Sequence, residues 1–146
     1  MSWLRPLGST GIQVSALGLG TVKLGRNQGL RYPTGFTLPD DASATRLLDR
    51  TRALGINLLD TAPAYGSSEE RLGRLLAGQR QHWVICSKVG EEFEQGQSRF
   101  DFSPEHTRSS VLRSLRRLRT DFLDIALVHS DGSDLEIIER MGTLEA

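Results

Sequence analysis

Ile56-Asn57-Leu58-Leu59-Asp60-Thr61-Ala62-Pro63-Ala64-Tyr65-Gly66 is an apolar run that ends on an acid, with a tyrosine and a glycine following. It reads as a short buried strand with a carboxylate at its carboxyl end, then a loop that presents a phenol. In parallel sheets and barrels, ligands bind at that end of the strands. The other strand ends are therefore the places to look for matching chemistry.

Downstream, Ser67-Ser68-Glu69-Glu70 has the form of a capping box and opens a helix with Leu72, Leu75 and Leu76 inward, stopped by Gly78. A strand over 83–87 follows and ends at Lys88. A polar, glycine-bearing loop is expected over 90–102, then a helix capped by Ser103 with Pro104 at its first position. Val111, Leu115 and Leu118 are its expected inner face. A strand over 122–128 is followed by His129, and Ser133 or Asp134 starts a last helix with Glu136 completing a possible capping box. Upstream, residues 4–15 read as a hairpin about Gly8-Ser9-Thr10-Gly11. The first buried strand runs over 16–21, with Gly18 and Gly20 allowing close backbone approach. Residues 22–40 lack periodicity and carry several Gly and Pro, so a long loop is expected there. A helix from about 42 to 54 is capped by Asp40 or Asp41, with Ala44, Leu47, Leu48, Thr51 and Leu54 on one face. Strand and helix alternate four times, which is the rhythm of a parallel α/β fold within one domain, 1–146.

Eighteen basic residues balance eighteen acidic ones, so nothing calls for nucleic acid or an anionic membrane as partner. The single cysteine, Cys86, excludes an internal disulfide, fits a reducing compartment, and reads as a structural thiol. Met1 to Gly8 has no apolar core of signal-peptide length and no run approaches a membrane span. A soluble, cytoplasmic protein is expected. His82 and His106 read as surface residues with no metal role. Arg108, Arg113, Arg116, Arg117 and Arg119 read as a solvated helix face. Gly18-Leu19-Gly20-Thr21-Val22-Lys23 fails as a dinucleotide fingerprint, because Lys23 holds the third glycine position and no helix is expected to follow at once. Phe36, Phe100 and Phe102 lie in strand-end loops and are candidate pocket walls.

Asp60, Lys88 and His129 each stand at the carboxyl end of an apolar strand, and Tyr65 lies in the loop after one of them. Singly, each has a structural explanation: a cap, a loop aromatic, a solvated strand terminus, a buried imidazole. Together they form a site with defined chemistry. An ammonium beside a phenol favours the phenolate, a buried lysine needs a counter-charge, and an imidazole can orient a substrate oxygen. This is apparatus for moving a proton to or from a carbonyl or alcohol oxygen.

The segments 18–21, 57–66, 84–88 and 114–129, in this order and spacing, resemble the N-terminal half of an aldo-keto reductase. The resemblance implies a TIM-type (β/α)8 barrel, represented by about its first four βα units and closed below by the N-terminal β-hairpin. It implies NADPH-dependent reduction of aldehydes and ketones, or the reverse. Tyr65 would be the general acid, Lys88 would ease the proton off it, Asp60 would pair with Lys88, and His129 would orient the carbonyl. Gly20, Thr21 and Asp60 would lie near the nicotinamide ribose of NADP(H). A barrel of this type has roughly 250 residues. Unpaired first and fourth strands therefore suggest self-association through open edges, and a catalytically inactive half-barrel that binds another protein is the alternative role.

Overall fold

The computed structural model describes residues 4–30 and 32–146; Met1 to Trp3, and Arg31 within the expected long loop, lie outside the described residues. β1 (Leu4–Pro6) and β2 (Gln13–Ser15) form the expected antiparallel hairpin. Four strands then build a parallel sheet in chain order: β3 (Gly18–Gly20), β4 (Leu58–Asp60), β5 (Val84–Val89) and β8 (Ile125–Val128). Helices α2 (Asp41–Ala53), α3 (Ser68–Leu75) and α4 (Pro104–Leu118) are the crossovers, and α5 (Asp134–Arg140) follows β8. No helix of the described residues is long and apolar enough to cross a membrane.

One face of the sheet packs on the helices. Leu59 and Ile85 join Ala44 and Leu48 of α2, Leu72 and Leu76 of the α3 segment, and Leu118 of α4 in one buried cluster, with Leu19 against it. Side chains alternate along a strand, so Gly18, Gly20, Leu58, Asp60, Cys86 and Lys88 turn to the opposite face. That alternation puts an acid and a base on the same side of neighbouring strands.

Several local expectations change. Val22–Gly25 is a short helix, α1, within the expected loop. Leu47 of α2 and Leu54 just after it are exposed, while Ala44, Leu48 and Thr51 carry the contact. Ser67 makes no capping bond to α3. The next residue takes over the local polar work: Ser68 is fully buried and hydrogen-bonds to Thr21 and Thr61. Ser133 likewise makes no side-chain cap on α5. The polar loop over 90–102 is a second antiparallel hairpin, β6 (Glu91–Glu94) and β7 (Gln97–Phe100). Gln95 and Gly96, both at positive φ, form its turn, as two-residue hairpins require.

The buried stripe of α4 is Thr107, Ser110, Ser114 and Leu118, with Val111 and Leu115 only half-buried. At the C-terminal end of this stripe α3 and α4 approach closely: a Cβ on Gly73 would stand 2.1 Å from the Arg117 carbonyl oxygen. The arginine face is also less free than expected, since Arg113 pairs with Glu92, and Arg117 with Glu69 and Glu70. Glu69 is fully buried and accepts from Ser87 at 2.7 Å and Arg117 at 3.3 Å, tying α3, β5 and α4 together. Gly73→Ala should cost about 1–3 kcal/mol by overpacking this contact. Urea unfolding is expected to show a lower midpoint with an unchanged slope.

Candidate active site

The inner face of β4 and β5 carries the site. Asp60 ends β4, and Lys88 is the penultimate residue of β5, one residue inside the strand rather than after it. Lys88 Nζ donates to Asp60 Oδ1 at 2.7 Å, to the Thr61 carbonyl at 3.0 Å and to Tyr65 Oη at 3.2 Å. Three acceptors match the three donors of an ammonium. Tyr65 closes a short 3-10 turn, Pro63–Tyr65, and its hydroxyl stands 3.4 Å from Asp60 Oδ1. Burial of the Lys88 ammonium opposes its charge, but the hydrogen bonds it donates to Asp60 and Tyr65 prevail, and its pKa lies above the ordinary lysine value.

His129 follows β8 directly and donates its backbone N–H to the Val89 carbonyl at 2.8 Å, which fixes it beside the end of β5. Its ring meets the Tyr65 ring edge-on at 6.1 Å between centroids. The structure therefore brings Asp60, Tyr65, Lys88 and His129 to one rim.

Gly20 and Thr21 behave differently from each other. Gly20 is exposed, with open space where a Cβ would stand. Thr21 is fully buried, and its polar groups are already engaged. Its N–H and Oγ1 both donate to the Asp60 carbonyl, at 2.9 and 2.8 Å, and its own hydroxyl and carbonyl oxygens accept from Ser68. Thr21 thus steadies the Asp60 backbone and does not present its side chain to the open face.

Sequence reasoning missed two rim residues. Arg26 is 8% exposed. It donates to the carbonyls of Gln28, Gly29 and Ala64 and lies over the Phe93 ring at 3.4 Å. It thereby fastens the α1 loop and the β6–β7 hairpin to the residue before Tyr65. This needs a very close backbone approach, since a Cβ on Gly66, at φ +61, would stand 2.2 Å from the Gly25 carbonyl. Glu91 begins β6 with its Oε2 2.8 Å from His129 Nδ1. The alternation of Glu92, Phe93 and Glu94 before Gln95-Gly96 was the available signal for a strand there. Among the expected walls, Phe102 is buried and stacked against exposed Phe100, while Phe36 packs edge-on against Tyr32 beneath Lys23. His106 is not a free surface residue: it lies 3.3 Å from Glu92 and 3.9 Å from Asp101.

The aldo/keto reductase family model matches residues 16–146. The chain belongs to the aldo/keto reductase family. This family member is 40% identical over 131 residues to the L-galactose dehydrogenase of Arabidopsis thaliana, covering 86% of this chain and 37% of that protein. It is 35% identical over 137 residues to the NADH-specific methylglyoxal reductase of Escherichia coli, covering 85% and 40%. A crystal structure from Pseudomonas aeruginosa, of a protein assigned to the aldo-keto reductases, superposes with TM-score 0.89 at 62% identity over 97% of this chain and 53% of that one. The holo form of an aldo-keto reductase from Bacillus halodurans gives 0.74 at 35% identity, over 95% and 45%. The chain therefore spans about half the length, or less, of these proteins.

Burial pushes the His129 imidazole below its ordinary 6.5, aided by the Lys88 and Arg26 cations and opposed by Glu91 and Asp60. On acidification the unfolded chain takes up this proton first, so stability is lost as pH falls from about 6.5 toward the folded-state pKa. The urea midpoint should drop between about pH 7.5 and about pH 5.5. That drop should be smaller in His129→Asn.

Proposed function

We propose that the chain is the first four βα units, one domain, of an eight-stranded aldo-keto reductase barrel, and that its rim reduces the carbonyl of a small aldehyde or ketone or runs the reverse oxidation. The observation that carries this reading is Lys88 Nζ, 2.7 Å from Asp60 and 3.2 Å from Tyr65 Oη at the carboxyl end of the strands. Tyr65 is the proton donor. Lys88 stabilises the phenolate left behind, and Asp60 compensates the ammonium so that it stays charged while half-buried. His129 orients the substrate oxygen beside the phenol.

The residues present fit the nicotinamide end of NADP(H). Gly20 leaves open space on the face that Asp60 and Lys88 share. Asp60 uses Oδ1 for both Lys88 and Tyr65, which leaves Oδ2 to accept from a ribose hydroxyl. When bound, the cofactor supplies the hydride; the chain's own part is to hold the carbonyl and deliver the proton, chiefly by positioning and polarisation. NADP(H) is the donor the family resemblance favours. The NADH-specific Escherichia coli relative makes NADH the comparison to titrate alongside it.

β3 and β8 are the edges of the parallel sheet, and Leu127 on β8 is 46% exposed. Strands from the rest of a barrel or from a second copy would close those edges. The same open edge supports the alternative of a non-catalytic binding module.

Aldehyde-dependent loss of NADPH absorbance tests the catalytic reading. Tyr65→Phe should lower kcat by about 10²–10⁴ with cofactor affinity unchanged. Undiminished turnover by the variant, or no saturable NADPH binding by the wild-type chain, contradicts the proposal.

A further inference from the structure

The hairpin that sequence periodicity did not reveal brings one carboxylate to the rim. Glu91 is 12% exposed, with Oε2 2.8 Å from His129 Nδ1 and Oε1 3.7 Å from Arg26 Nη1. His129 Nδ1 is buried and makes no well-directed hydrogen bond in this geometry. The short distance is the weightier observation, because it places a carboxylate within hydrogen-bond reach of Nδ1. The charged groups around the ring come from every neighbouring element: Glu91 from β6, Lys88 from β5, Asp60 from β4 and Arg26 from the segment after α1. The Tyr65 phenol meets the ring edge-on.

We infer that Glu91 is a positioning residue for His129: it holds the proton of the neutral imidazole on Nδ1 and leaves Nε2 as a lone pair. The tautomer of a histidine follows from the hydrogen bond its other nitrogen makes. A ring held in this way accepts a hydrogen bond from an alcohol hydroxyl at Nε2. It donates to a carbonyl oxygen only after a second proton has arrived there. Under the function proposed above, on which this consequence rests, the imidazolium serves carbonyl reduction and the neutral ring serves alcohol oxidation. Glu91, as the nearest anion, favours the imidazolium. Arg26 holds the other side of the same carboxylate and stacks on Phe93 two residues along β6, so the hairpin cannot move away without breaking both contacts.

The test needs neither cofactor nor turnover, so its failure is distinguishable from failure of the Tyr65→Phe experiment. The chain has three histidines, His82, His106 and His129. Carbon and nitrogen NMR of histidine-labelled protein reads the tautomer and titration of each, with His129→Asn supplying the assignment. The neutral form of His129 in the wild type is expected to be the Nδ1–H tautomer. Glu91→Gln keeps an acceptor but removes the charge, so the His129 midpoint should fall. An Nε2–H tautomer in the wild type overturns the inference, as does an unmoved midpoint in Glu91→Gln. Reading the tautomer does not require Glu91→Gln, so the inference remains testable even if that variant folds poorly.

Discussion

An ammonium on the inner face of a parallel sheet must be compensated where it stands, and the rim of this protein is arranged around that requirement. Lys88 cannot reach bulk water freely from the penultimate position of β5, and its side chain is 11% exposed. Its charge is supported by one carboxylate, one carbonyl and one phenol, all from the segment that begins with β4. Removing a partner from such a group exposes the full desolvation penalty. The strand register therefore matters chemically. Asp60 lies opposite Cys86, two residues before Lys88 on the same face, and a one-residue slip would turn the acid toward the helices.

The surrounding structure holds that arrangement from two directions. Below the rim, the buried hydroxyls of Thr21, Thr61 and Ser68 join β3, β4 and α3, and Thr21 secures the Asp60 carbonyl. Above it, Arg26 binds the Gln28 and Gly29 carbonyls after α1 and the Ala64 carbonyl within the Tyr65 turn while stacking on the β6–β7 hairpin. The phenol is thus placed by backbone contacts of its own turn and by a guanidinium contributed about forty residues earlier in the chain. Glu91 extends the same logic to His129.

Asp60, Lys88 and His129 were legible from sequence because each stands at the carboxyl end of an apolar run, and in β4 and β5 the alternate residues Leu59 and Ile85 pack on the helices. Period-two alternation then decides which face receives the charge. The βα rhythm was legible for the same reason. The β6–β7 hairpin was not, because its strands carry mostly polar residues and its pairing rests on the Gln95-Gly96 turn and on ionic contacts to α4. Thr107, Ser110 and Ser114 escaped notice because small polar residues are buried here by tertiary packing, which leaves no apolar signature in the sequence. Arg26 escaped for a related reason: a guanidinium is buried only when several distant carbonyls converge on it, and no local pattern records that convergence. The resemblance places Thr21 near the nicotinamide ribose; its hydrogen bonds to Asp60 and Ser68 lie inside the fold, a partnership that no local pattern records.

The claim beneath all of this is that Asp60 and Tyr65 outweigh burial and keep Lys88 charged. The chain carries two lysines, Lys23 and Lys88, so carbon NMR at the lysine ε position follows Lys88 with little overlap. The account predicts a Lys88 midpoint above the ordinary 10.5, moving down in Asp60→Asn. A wild-type midpoint at or below the ordinary value, with no response to Asp60→Asn, would contradict it.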